Sequence, residues 1–197
     1  MVTKTARLVI QEEIESLHRL MEGIDDSFQQ AVKTLRSCTG KIVVVGIGKS
    51  GIIGKKIAAT LASTGSPAVF MHAAEALHGD LGLVVADDVS IVISYSGETS
   101  EALIAAQKLR TLGIPIIGVT GRPKSTLAVE SDIHIDILVR READPLNLAP
   151  TSSTTATLVL GDAIAIALSI ERKFTKEDFL QFHPGGNLGK TLNSEQR

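Results

Sequence analysis

The sequence predicts an α/β fold, a doubly wound sandwich with a five-stranded parallel sheet and an N-terminal helical arm. Three observations carry this. Short, nearly all-apolar runs alternate with segments of helical periodicity, the pattern of buried parallel strands joined by crossover helices. The apolar content is an ordinary 44%, but with no Trp, one Tyr and five Phe in 197 residues it is built from small and branched aliphatics, which suit helices packed closely on a sheet. The stretches richest in glycine and hydroxyl groups follow predicted strands, where sheets of this kind bind ligands.

The elements follow in order. From residue 3 to about 36, Ala6, Ile10, Ile14, Leu17, Met21, Ile24, Phe28, Ala31 and Leu35 recur at three- and four-residue spacing, a helical stripe broken near Gly23. A strand over residues 41–47 ends in glycines, and a helix over 51–64 is stopped by Gly65 and Pro67. Strands follow at 67–71 and 89–95, then a helix at about 100–112 and a strand at 114–120 whose Pro115 must sit at its start. Residues 132–138 alternate polar and apolar, marking an edge strand. After a loop at 139–150, a helix of small residues runs over about 152–173, apolar around nearly its whole circumference and so expected to be buried. A short helix over 176–182 leads to His183. The chain reads as one domain over residues 1–197, with residues 1–37 as its arm.

Lys and Arg number 20 against 22 Asp and Glu, a net charge of −2. That balance argues against a protein built to bind nucleic acid or an anionic membrane, and the scarcity of aromatics argues against base stacking. The one cysteine, Cys38, cannot form an internal disulfide. No leader-like or membrane-length apolar run is evident, so a cytoplasmic location is expected.

Two loops carry most of the chemistry. Gly46-Ile-Gly-Lys-Ser-Gly formally matches a dinucleotide fingerprint, but the second strand ends at His72, without the acidic residue that would hold a ribose. What survives is a glycine-lined helix start whose N–H groups can face an anion; the glycines alone fit a tight turn equally well. In the second loop Ser94, Ser96 and Thr99 surround Gly97 just before a helix. One hydroxyl would serve as a cap, whereas three at these positions can wrap phosphate oxygens.

Taken with Ala59-Thr-Leu-Ala-Ser-Thr-Gly, His78-Gly-Asp-Leu-Gly, Thr120-Gly-Arg-Pro, Leu148-Ala-Pro-Thr-Ser-Ser-Thr-Thr-Ala-Thr and His183-Pro-Gly-Gly, these loops form seven motifs in a fixed order. In that order the chain resembles the sugar isomerase (SIS) fold and, within it, the isomerase domain of the arabinose 5-phosphate isomerase family, from about residue 41 to 190. The resemblance implies an aldose–ketose isomerase interconverting D-ribulose 5-phosphate and D-arabinose 5-phosphate for Kdo, a sugar of bacterial lipopolysaccharide and some capsules. Members commonly add two CBS modules, so this sequence is expected to be an isomerase-only form.

By the same resemblance Lys49, Glu101, Glu142 and His183 are the catalytic candidates. Lys49 would neutralise an enediolate and Glu142 would transfer the proton. His183 would open the ring or shuttle protons, and Glu101 would orient hydroxyls or Lys49. Taken singly, Glu142 would be a solvated partner of Arg140 or Arg141, Glu101 a first-turn acid favoured by the helix dipole, and Lys49 a surface lysine. The resemblance also implies that Ser50, Gly65, Ser66, His72 and His78 contact substrate, and that His72 can take an inhibitory zinc ion. No redox cofactor is expected to be required, because the carbonyl moves within one molecule, and by the resemblance no metal is expected to be required either. A homotetramer is implied, a dimer of dimers in which His183 completes a neighbour's site. The rival readings are an isomerase of a phosphoheptose or hexulose phosphate, and a non-catalytic sugar-phosphate sensor.

Overall fold

A computed structural model describes residues 1–183. Five parallel strands lie in the order β2-β1-β3-β4-β5: β1 (Ile42–Gly46), β2 (Ala68–His72), β3 (Val89–Ile93), β4 (Ile116–Thr120) and β5 (Ile133–Asp136). The first, third and fourth are buried along their whole length, as their apolar runs require. The polar–apolar alternation of β5 puts it at an edge. Pro115 falls just before β4, where its carbonyl accepts from Ser90 N.

Helices cover both faces. On one lie α1 (Val2–Glu22), α2 (Asp26–Ser37), α3 (Gly48–Ser63) and α7 (Ser152–Glu171), packed over Ile42, Val44, Ile91, Ile117 and Ile135. On the other lie α4 (Ala73–Ala76), α5 (Ser100–Thr111) and α6 (Thr126–Glu130), over Val43, Val45, Val92 and Ile116. A last helix, α8 (Lys176–Phe182), follows α7. The order reverses between β1 and β3, so the loops leaving these two strands diverge to opposite faces and open a crevice at the carboxyl rim of the sheet.

Four expectations are refined. The arm is two helices: Gly23 ends α1, Asp25 caps α2 by accepting from Ser27 N at 2.9 Å, and a Cβ on Gly23 would overlap Leu138. The stripe on α1 is not buried; Leu20 is covered, while Ile10, Ile14 and Met21 face out. Third, α3 begins at Gly48 rather than Gly51, so Lys49 and Ser50 form its first turn. Gly46 and Gly51 are needed for the approach of helix to strand, because a Cβ on Gly51 would stand 3.2 Å from Gly46 O. Finally, α7 is not enclosed all round. By length and composition it could cross a membrane, yet Leu160, Ile164 and Leu168 lie in the core while Val159, Ile166 and Ile170 are exposed.

Candidate active site

Three helix N-termini meet at the carboxyl rim. Helices α3 and α5 begin without a side-chain cap, so first-turn N–H groups remain available to an anion. Thr99, the residue at the N-cap of α5, turns its hydroxyl instead to Ser94 Oγ at 3.1 Å. The loop between them is held from within: Ser94 Oγ accepts from Gly97 N at 3.1 Å, and exposed Ser96 accepts from Glu98 N at 3.2 Å. Gly97 has φ +67°, and a Cβ there would overlap Ser125 Oγ. This is a preshaped hydroxyl-lined turn, not a simple cap.

The third N-terminus, that of α7, is met by Glu142. This carboxylate is 4% exposed and its Oε2 accepts from Thr151 N at 2.8 Å, Thr151 Oγ1 at 3.2 Å and Ser153 N at 3.1 Å. The reading of Glu142 as a solvated partner of its neighbouring arginines is therefore overturned. Arg141 turns to Glu12 at 3.9 Å and to the Glu142 carbonyl, and the Glu142 N–H donates to Asn147 Oδ1 at 2.7 Å.

A pocket of about 160 Å³ lies between the starts of α3 and α7, lined by Lys49, Ser50, Tyr95, Ser153, Thr154 and Thr157 among others. Exposed Lys49 and the Glu142-bound Ser153 thus share one cavity, and Tyr95 joins it to the serine turn. The sequence reading missed Tyr95, Ser153, Thr154 and Thr157. The hydroxyl run 151–155 at a helix start and the lone tyrosine between two serines were the available signals. A larger hollow, about 770 Å³ between α2 and the end of α7, contains none of the candidate residues.

His72 ends β2 directly across from Gly46, its Nδ1 buried without a hydrogen-bond partner among the described residues. Glu101 accepts from Ser100 Oγ at 2.7 Å. That hydroxyl, then its own N–H and the nearby His72 charge, hold the Glu101 carboxyl below its ordinary range, against slight desolvation. His78 is exposed beyond α4. Among the described residues no three His, Cys, Asp or Glu side chains gather closely enough to hold a metal. His72 offers a single imidazole contact to zinc, not a closed site.

Two groups of candidates are not brought to this rim. Gly65 and Ser66 precede β2 and so lie at the amino end of the sheet, about 16 Å away along five-residue strands. There Gly65, at φ +91°, packs under Phe174. Phe174 stacks on Phe182 at 5.9 Å, which leads directly to His183. That imidazole stacks on Phe179 at 3.8 Å and bonds its carbonyl through Nδ1 at 2.9 Å. Within one chain His183 is therefore at the opposite end from Lys49. The rest of the His183-Pro-Gly-Gly motif lies outside the described residues.

A parallel sheet of this order, with a serine-rich turn and uncapped helix starts at one rim, defines a class of α/β domain suited to bind an anionic ligand at the carboxyl ends of its strands. A SIS-domain family model matches residues 34–167, and the chain belongs to that family. It is 53% identical over 184 residues to arabinose 5-phosphate isomerase KdsD of Salmonella typhi and 52% identical over 188 residues to that of Pseudomonas aeruginosa. The matches cover 93% and 95% of this chain but 56% and 58% of those proteins, so the chain spans little more than half their length. An Escherichia coli CFT073 structure in complex with arabinose 5-phosphate superposes with a TM-score of 0.90 at 45% identity, covering 93% of this chain and 97% of that one.

Proposed function

We propose that the chain is an aldose–ketose isomerase interconverting D-ribulose 5-phosphate and D-arabinose 5-phosphate through an enediol(ate), and that it supplies Kdo synthesis in the cytoplasm. The observation that carries the reading is the shared pocket of Lys49 and the Glu142-capped start of α7, set beside a hydroxyl turn and two uncapped helices. The relatives named arabinose 5-phosphate isomerase, and the solved complex of a similar chain with that sugar phosphate, support this substrate class.

In this mechanism Ser94, Ser96, Thr99 and the α5 N-terminus grip the phosphate, with Ser50 beside it. Glu142 removes the carbon-bound proton and returns it to the neighbouring carbon. All three of its hydrogen bonds go to Oε2, which leaves Oε1 to face substrate. A positioned base contributes about 10²–10⁴ in rate. Lys49 stabilises the enediolate oxygen, a comparable contribution. Glu101, held ionised, is better suited to accept hydrogen bonds from sugar hydroxyls than to act as a base near neutrality. Carbonyl and hydroxyl exchange places within one molecule, so the chemistry calls for no redox cofactor. Zinc on His72 would oppose turnover by placing a cation beside Glu101.

The pocket of one chain is smaller than the roughly 300–1,000 Å³ usual for ligand sites, and His183 lies at the other end of the sheet. A homotetramer in which the amino-end cluster of one copy meets the rim of the next would supply His183, and with it Gly65 and Ser66. The exposed faces of α1 and α7 offer apolar surface for such contacts. Assay of the chain with ribulose 5-phosphate against a panel of heptulose, hexulose and other pentulose phosphates tests the function. Turnover of ribulose 5-phosphate is expected to dominate; preference for another member, or none at all, would overturn the assignment.

A further inference from the structure

A second cleft of about 490 Å³ opens at the rim of β4 and β5. Its size falls within the ordinary range for small-ligand sites. Arg19 and Glu22 of α1, Arg122 after β4, and Asp136 and Arg140 from β5 and the loop after it supply its charged groups. Three guanidinium groups face two carboxylates there, so the cleft carries net positive charge. Among the described residues neither Arg122 nor Arg140 has an acidic partner. Arg122 donates one N–H to the Gly121 carbonyl at 2.9 Å. Arg19 reaches Glu12 at 3.7 Å, but its Nε is buried without an acceptor. Guanidinium forks gathered around one concavity match the geometry of phosphate and carboxylate oxygens.

Tyr95, which lines the rim pocket, touches two residues that line the cleft. The Arg122 guanidinium lies over the Tyr95 ring at 5.0 Å, and Tyr95 Oη donates to the Val139 carbonyl, also at the cleft, at 3.3 Å. Gly121 is required at the contact, since a Cβ there would overlap the ring. Tyr95 lines the Lys49 pocket, and Arg140 is two residues from Glu142. We propose that this cleft binds a small multivalent oxyanion, a phosphate ester or a polycarboxylate, through Arg122 and Arg140 with Arg19 behind them, and that Tyr95 registers its occupancy at the rim pocket. The proposal stands independently of the isomerase reading.

Tyr95 is the single tyrosine of a chain without tryptophan, so intrinsic tyrosine fluorescence reports the surroundings of this one residue, and the arginine and serine variants say which cavity is filled. The full chain is titrated with pyrophosphate and, separately, citrate at constant ionic strength, following fluorescence and binding heat together. A saturable response to either anion is expected, and the stronger probe distinguishes phosphate from polycarboxylate chemistry. Arg140→Ala and Arg122→Ala should each weaken binding about tenfold or more, both in the otherwise wild-type chain and in one whose rim site is disabled by Ser94→Ala. Arg122→Lys, which keeps the charge but loses the fork, should fall between. Absence of saturable binding would overturn the proposal. So would binding lost in Ser94→Ala but kept in Arg140→Ala, which would put the anion in the rim pocket.

Discussion

Replacing Glu142 by Gln separates the two jobs this buried carboxylate is given. As a cap, Glu142 places a negative charge on the start of α7 and accepts two backbone N–H bonds and one hydroxyl bond. A glutamine carbonyl can accept the same donors, so what is lost is the charge: the interaction with the helix dipole and the charge assistance of the hydrogen bonds. Together these amount to about 1–2 kcal/mol, a fall of about 2–8 °C in Tm for a chain of this size. With a folding stability of about 5–15 kcal/mol, nearly all molecules stay folded at 25 °C, so unfolding cannot account for a large rate loss. As the base, Glu142 should take about 10²–10⁴ of kcat with it. The assay measures turnover, incorporation of solvent deuterium at the substrate carbon, and thermal melting on the same preparation. A lowered Tm with wild-type turnover and exchange would refute the catalytic role and leave Glu142 as a helix cap alone.

Further predictions follow from the same geometry. Lys49→Met should lower kcat by about 10² or more while leaving denaturant stability within about 0.5 kcal/mol of wild type, because the side chain is exposed and makes no hydrogen bond or ion pair among the described residues. Ser100→Ala removes the main hydrogen bond that depresses the Glu101 carboxyl. Its folded pKa should rise toward the unfolded value, so charge now retained as pH falls is lost earlier and the acid limb of activity moves up. An NMR pH titration of Glu101 reads this directly, and no movement would contradict the cause given. If His183 serves a neighbouring copy, co-expressed Lys49→Met and His183→Asn chains should show more activity than the two variants purified separately. Merely additive activity would place both residues in one chain's site.

The legible parts of the fold were those fixed by local pattern. All five strands and the long helices α5 and α7 announced themselves through apolar runs and glycine or proline stops. The short helices α4 and α6 did not, because four or five residues show no period and tertiary packing decides them. At the site, the serine turn and Lys49 could be assigned to the rim because they directly follow strands. Glu142 could not be read as buried: a loop glutamate between arginines ordinarily faces water, and only the fold brings the start of α7 to it. Gly65 and Ser66 came from family likeness, which transfers a residue to a site without saying which copy of the chain supplies it; for His183 the likeness also implied a neighbouring copy.

Carbon-acid chemistry at the rim, performed on a pentose phosphate, is what the functional reading stands on, and proton NMR of the purified chain with D-ribulose 5-phosphate in heavy water probes it without intermediaries. Growth of D-arabinose 5-phosphate carrying deuterium at C2 is expected, and Lys49→Met should slow it about 100-fold or more. Unchanged ribulose 5-phosphate, or arabinose 5-phosphate formed at full rate by the Lys49→Met chain, would contradict that chemistry.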